Sequence, residues 1–560
     1  MTVQGEEHLL VDISRGLFIT PAPDTIPEGG CMQIQNMFKN NRGGWEIRKG
    51  IADITTTALS AITLGTKQPD YYAMPEHLYP NAVGFDAIVG AVRAPQFMYN
   101  YAITVNSKMV SNVGVLGAAD ITDFNLQNQG DSTAWQTACQ YKDRYYFCAL
   151  GAVYRLSGFI YDGTSPALTN TAVSGAIASG FTNIYDKPVI VAYQDRIFHA
   201  LGNRISWTDI PTSGGYPEVW TAANFLELPT SHAGSPSVKN MFHLNGLLYI
   251  FTTKGIYALN GRGSSATWRI DFISDTIKIV NKQAVCLSNG VFICTDYRKL
   301  YLFNGTNITT IGDQVQYLFD IYNCFSVMPF EDGIILSCRY FTTSGGFWTT
   351  TTPPGGSTDI WPINRTFYFD GSVWTEIVTN VIGNSVDFLF GAVGKIKWQG
   401  KRQNVSFLIY YDPVLTSYGM CYYNRNTFQD TLSATTYSIA ALLRSRYISS
   451  GVLSTYMKIK KWYVKAFSLL TGFVAKTFVD GAFANITSTS VSTTNQADNN
   501  YLGQAVGPEM CTRISAQITA TSSGSNYNTD LPDSVPCFEI KQILLAGNTN
   551  IRDSTEGTET

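Results

Sequence analysis

The sequence predicts an all-β chain organised around a β-propeller-like repeat with a period of 44 residues, an N-terminal arm and an additional C-terminal β domain. Three observations carry this expectation. The composition favours strands and tight turns, Asn-Gly pairs recur at fixed spacing, and two stretches of the chain overlay without a gap.

The composition supplies the first. The 560 residues include 32 Tyr, 31 Phe, 10 Trp and 48 Gly. Aromatic and β-branched side chains suit a pleated, half-buried surface, and Gly serves the turns. Charged residues make up only 14%, below the roughly 25% of ordinary soluble domains. A surface so poor in charge suits a protein covered by its neighbours in an assembly. The net charge of −3 offers no basic excess for neutralising phosphates, which argues against tight nucleic-acid binding.

The repeat supplies the other two. Asn-Gly pairs stand at 245–246, 260–261, 289–290 and 304–305. The spacing is 15 residues within each couple and 44 between couples. Residues 241–261 therefore overlay residues 285–305 directly. Asn-Gly provides the two positive-φ residues of a type I′ hairpin turn, so each unit reads as strand, tight turn, strand, turn, strand. Such hairpin chains of about 40–45 residues are the mark of propeller blades. Weaker copies begin at Asp143, Asp195, Asp332 and Lys401, and the one at Asp332 carries an insertion over 340–365. The expected organisation is an arm and hairpin over 1–60, the propeller-like domain over 61–430, and a sandwich-like β region over 431–560.

Within the arm, Cys31–Phe38 alternates as a strand, Asn40–Gly44 is a tight turn, and Trp45–Gly50 returns as the partner strand. In the C-terminal region, Met457–Phe467 is a longer strand whose lysines Lys458 and Lys460 share one face, as on a solvated edge or, in the sharper reading, a contact with an acidic partner or with DNA in a channel. The last strand is expected over Cys537–Gly547.

The ten cysteines form no Cys-x-x-Cys pair and no metal-ligand spacing with histidine, so they read as buried thiols of a protein made in a reducing cytoplasm. Residues 1–10 do not have the pattern of a secretory signal, and no apolar run approaches the ~20 residues of a membrane span. His199 and His243 fall in blade strands. Asp370–Trp374 only partly matches the Asp-box of propeller glycosidases, and Glu331 and Asp332 are the nearest acid–base candidates, with a turn role the better reading of Asp332. No catalytic set, metal site or cofactor motif emerges; none is expected.

The N-terminal pattern Gly16-Leu-Phe, Ile26-Pro-Glu-Gly-Gly30, Gln35-Asn-Met, Arg42-Gly-Gly-Trp45 and Arg48-Lys-Gly50 resembles the tail tube or nozzle proteins of short-tailed bacteriophages. The run Asn245–Tyr257 resembles their repeated segments. The chain is also similar in outline to packaged-DNA-stabilising tail accessory proteins. The resemblance implies a structural virion component, made in the bacterial host cytoplasm and located in the tail. It implies a cyclic ring, sixfold in the family, beneath the head–tail adaptor protein. Tail fibre, spike or needle proteins would be further partners, and genomic DNA would pass without sequence-specific binding or membrane insertion. Candidate assembly contacts are Arg42, Trp45, Arg48 and Lys49 in the arm and Trp348 and Trp361 in the insertion. A glycan-binding propeller for host-surface recognition is the alternative, and a glycosidase the third reading.

Overall fold

A computed structural model describes residues 7–20, 25–53, 71–73, 88–93, 98–104, 108–111, 114–115, 138–141, 144–149, 152–157, 169–172, 189–230, 234–261, 263–279, 284–296, 298–340, 364–379, 386–398, 401–412, 417–425, 427–432, 435–449, 455–468, 472–479, 487–492, 501–511, 513–522 and 538–552. Trp348 and Trp361, with most of the insertion, lie outside them. The strands flanking the insertion pair directly, with Arg339 opposite Asn364.

The chain is all-β, and its central body is propeller-like, with seven antiparallel meanders among the described residues. The first five are separate four-stranded sheets that start at Ile88, Ala138, Val189, Val238 and Val285. The sixth comprises Tyr322–Phe330, Gly333–Tyr340, Asn364–Phe369 and Trp374–Ile377. The seventh uses Asp387–Trp398, Lys401–Asp412 and Ser417–Asn424 and takes Gly50–Asp53 from the arm as its fourth strand. Tyr71–Ala73 pairs with the seventh meander and touches the first, so it joins the two.

Local sequence explains the blades where the overlay was found. Asn245 and Gly246 have φ of 52° and 80°, and Asn289 and Gly290 have 50° and 76°, so both pairs turn as expected. The other two pairs do not. Asn260 ends a strand, and Gly261, at φ 150°, lies so close to Trp268 that a Cβ would sit 2.3 Å from that indole. Asn304 instead makes an Asx turn, its Oδ1 accepting from the backbone N–H groups of Thr306 and Asn307 at 3.0 and 2.8 Å. The seams between blades are apolar. Phe242, Tyr249, Phe251, Phe292 and Phe303 fill the one between the fourth and fifth, with Phe251 and Phe292 centroids 5.0 Å apart.

Behind the sixth blade lies a second β body. The blade's sheet continues through Gly30–Gln35, Ala440–Ser445, Arg513–Thr521 and Gly472–Val479 to Thr487–Ser492. A separate sheet holds Glu7–Val11, Met37–Lys39, Trp45–Ile47, Phe538–Arg552, Thr455–Ser468 and Tyr501–Cys511. Leu443, Phe473 and Ile518 of the first share one core with Val464, Phe538 and Ile543 of the second, and that core runs on into Leu300 and Trp374 of the propeller.

Two strand readings are corrected by this topology. Thr455–Ser468 is central in its sheet, paired on both sides by Phe538–Arg552 and Tyr501–Cys511, so Lys458 and Lys460 do not lie on an edge strand. The final strand runs on to Arg552 because its extension pairs with Thr455–Lys458. In the arm, only Met37–Lys39 pairs with Trp45–Ile47; Gly30–Gln35 leaves the hairpin to join the larger sheet.

Candidate functional site

The arm, which holds four of the six candidate contact residues, is built into the joint between propeller and second body. Its turn forms because Asn40 Oδ1 accepts from the backbone N–H groups of Arg42 and Gly44 at 3.0 and 2.9 Å. Asn40 Nδ2 donates to Glu539 Oε1 at 2.7 Å and ties the turn to the last strand. Burial raises the pKa of neighbouring Glu46, opposed by the hydrogen bond from Asn40.

Beyond the turn the polar groups converge inside the protein. Arg48 is 1% exposed and meets Asp430 through a two-pronged contact, Nη1 to Oδ1 at 2.8 Å and Nη2 to Oδ2 at 2.5 Å. Its Nε donates to Asn36 Oδ1 at 2.8 Å. Asn36 adopts a left-handed backbone at φ 55°, and its Nδ2 donates to the carbonyls of Val378 and Ala440 at 2.9 and 2.8 Å. Asp430 Oδ1 also accepts from Ile51 N–H at 2.8 Å. Residues from the arm (Asn36, Arg48, Ile51), from the end of the sixth blade (Val378) and from the second body (Ala440) thus converge on one buried, hydrogen-bonded ion pair with Asp430.

A second pair reinforces it. Arg365 donates from Nε and Nη2 to Glu376 at 2.6 and 2.9 Å, and Gln35 Nε2 donates to Glu376 Oε2 at 2.9 Å. Burial disfavours the charge on Arg365, but Glu376 outweighs burial and its pKa is raised.

These contacts place the four candidate arm residues. Trp45 is fully buried, its Nε1–H donating to the Ile13 carbonyl at 2.8 Å. Trp45 and Arg48 therefore spend their contacts within the chain, which corrects their assignment as assembly contacts: neither reaches the surface of the folded subunit. Lys49 lies half-buried, its ammonium 3.9 Å from the centre of the Phe428 ring. Arg42 alone of the four is exposed, at the turn. Asn36, Asp430 and Glu376 carry the joint, yet only Asn36 fell within a motif visible in the sequence.

Among the described residues no three His, Cys, Asp or Glu side chains gather as a metal set. Glu331 is tied down: it accepts from Ser406 Oγ at 2.8 Å and from Arg425 Nε at 3.1 Å. Asp370 Oδ1 accepts from Ser372 and Val373 N–H at 2.7 and 2.8 Å, a turn contact. His199 is fully buried, and burial pushes its pKa down to about 4.

The surface has one uneven feature. Of the five exposed large apolar side chains among the described residues, four are on the third and fourth blades: Ile210, Val219, Phe225 and Phe272. The outer strand of the third blade, Trp220–Glu227, carries no charge before its final residue.

No family model matches the chain, and no curated protein matches it. Solved structures of similar fold include YCF48 from Cyanidioschyzon merolae, at 10% identity and a TM-score of 0.33, covering 64% of this chain and 98% of that one. The β-propeller domain of Cps50 (Swd1) from Myceliophteria thermophila aligns at 12% identity and a TM-score of 0.34, covering 63% and 99%. An exo-β-1,3-galactanase from Phanerochaete chrysosporium aligns at 8% and 0.22, covering 73% and 95%. Likeness at this level carries no argument about function.

Proposed function

We propose that this chain is a structural subunit of a short-tailed bacteriophage tail nozzle, forming a closed ring that extends the head–tail channel for DNA retention and ejection. The observation that supports this reading best is the joint. The residues of the nozzle-like N-terminal pattern, from Gln35 to Gly50, are those that lock propeller and second body together through Asn36, Arg48 and Asp430. A channel wall needs such rigidity, since a subunit under load must not hinge between its bodies.

Two further features favour a structural over a catalytic role. The most promising acid, Glu331, is held by Arg425 and Ser406, and the Asp370 turn uses its carboxylate on its own backbone. The low proportion of charge suits a chain packed among copies of itself, the adaptor and other tail proteins.

Electron microscopy and solution mass of the purified full-length protein test the proposal. A ring with a central channel is expected. A persistent monomer with affinity for a glycan overturns it in favour of a binding propeller. Glycan hydrolysis that disappears with a single carboxylate substitution overturns it in favour of an enzyme.

A further inference from the structure

Behind the sixth blade, the outer face of the larger sheet carries positive charge and no negative charge. Its five strands there, Gly30–Gln35, Ala440–Ser445, Arg513–Thr521, Gly472–Val479 and Thr487–Ser492, contain Arg444, Arg513 and Lys476 and no Asp or Glu. Register puts the three cations on one side. Arg444 stands opposite Gln517, and Gln517 opposite Lys476, so these side chains leave the same face. Arg513 is four residues from Gln517 along one strand, and the alternation of side chains returns it to that face. The opposite face, with Leu443, Ala475 and Ile518, belongs to the core.

Arg444 is fixed in place with part of its guanidinium still open. The guanidinium carbon lies 3.7 Å from the centre of the Phe478 ring, Nη2 donates to Tyr447 OH at 3.1 Å and Nε to Ser515 Oγ at 3.4 Å. Arg513 lies over the same tyrosine, 5.7 Å from the ring centre. Phe478 is buried beneath, whereas Arg444, Tyr447, Lys476 and Arg513 are half-buried. Among the described residues Nη1 of Arg444 has no hydrogen-bond partner, and it is not closed off from solvent. Neither Arg444 nor Lys476 makes an ion pair among those residues. Burial disfavours the charge on Arg444, and Tyr447 rather than any described carboxylate favours it. A guanidinium keeps its proton, so one that is partly dehydrated and lacks a carboxylate gains from an anion that reaches Nη1.

The surroundings favour a protein carboxylate over a nucleic-acid phosphate. Phosphate backbones are held by many cations that release counterions together. Here three cations share the face with Gln33, Leu442, Val474, Gln517 and Thr519, and the chain as a whole carries a net charge of −3. Arginine and aromatic side chains beside aliphatic ones, with acids absent, have the makeup of a protein interface.

We infer that this outer face, centred on Arg444 with Tyr447, Lys476 and Arg513, is a docking surface for an acidic segment of a partner protein. A carboxylate of that segment meets Arg444 end-on at Nη1, and a second one is met by Lys476, about 10 Å away across two strand spacings. The surface serves a ring or a monomer alike, so its failure leaves the nozzle reading standing.

The test is fluorescence anisotropy. A labelled polyglutamate peptide is titrated with the full-length protein at low salt, with near-UV circular dichroism to show that each variant is folded. The wild type should bind the peptide, and less tightly as salt is raised. Arg444→Gln should weaken binding about tenfold. Lys476→Glu should weaken it as well, and leaves the Phe478 and Tyr447 contacts of Arg444 in place. Arg269→Gln, at a side chain 71% exposed on the fourth blade, should bind as the wild type. A wild type that does not bind, wild-type binding by the folded Arg444→Gln and Lys476→Glu variants, or equal loss in Arg269→Gln overturns the inference. Tighter binding of duplex DNA than of the peptide, lost with the same two variants, overturns it in favour of nucleic acid.

Discussion

Arg48 and Asp430 are 382 residues apart in sequence and form a buried two-pronged ion pair where the arm, the propeller and the second body meet. Their side chains are 0% and 3% exposed. Taking two charges out of water is costly, and the pair is sustained because Asn36, Ile51 and two carbonyls satisfy the remaining donors and acceptors.

Removing one partner should therefore cost far more than removing both. Arg48→Met leaves Asp430 charged and uncompensated, and should lower stability by about 3–5 kcal/mol. Arg48→Met with Asp430→Leu should recover a large part of the loss. Arg48→Lys should recover little, because an ammonium cannot match the two-pronged geometry. Chemical denaturation of the four proteins measures this directly; equal stability of Arg48→Met and wild type would refute it.

Two glycines of the repeat should respond very differently to a methyl group. At Gly290 an added Cβ meets nothing within 4 Å, so Gly290→Ala bears only the left-handed backbone cost of about 1–2 kcal/mol. At Gly261 the Cβ would meet Trp268 Cδ1 at 2.3 Å and its Cα at 3.0 Å. Gly261→Ala should be the more damaging by about 2 kcal/mol or more, since the obstacle includes backbone. Thermal unfolding of both variants checks the order.

His199 should make the fold sensitive to mild acid. Its folded pKa lies near 4 and its ordinary value is 6.5. Between these pH values the unfolded chain binds a proton that the folded chain refuses. Its stabilising contribution is thus complete above pH 6.5 and is lost as pH falls toward 4, reaching about 3 kcal/mol. Unfolding midpoints against pH should show this decline in the wild type and a shallower one in His199→Gln.

The buried thiols should behave oppositely at high pH. Burial raises the pKa of Cys31, Cys286, Cys294 and Cys338, so the folded state keeps protons that the unfolded chain releases. Stability should fall as pH rises through about 9 and beyond. With Cys324, these thiols should also resist iodoacetamide in the native protein and react once it is denatured. Rapid native labelling at any of them would contradict their burial.

The repeat was legible where local geometry decided it. Asn245-Gly246 and Asn289-Gly290 turn as their residue types require, because two successive positive-φ residues suffice for a tight hairpin. Asn260-Gly261 looks the same in sequence but is claimed by Trp268, a contact no spacing rule contains. Lys458 and Lys460 suggested an edge strand, yet strands from later in the chain pair on both sides of theirs. Trp45 and Arg48 stood out by residue type as contact residues. Their role changed once Ile13, Asn36 and Asp430 were placed around them.

By itself the sequence determined that this chain is all-β, where two of its tight turns fall, and that its central part repeats as blades. Those properties depend on backbone preference and on alternation over a few residues. Only the tertiary structure decided that the described residues form seven meanders, that Gly50–Asp53 completes the last of them, and that Arg48 finds Asp430. Pairings between distant strands are selected by burial and by the need to satisfy buried polar groups, and those demands exist only once the chain has folded.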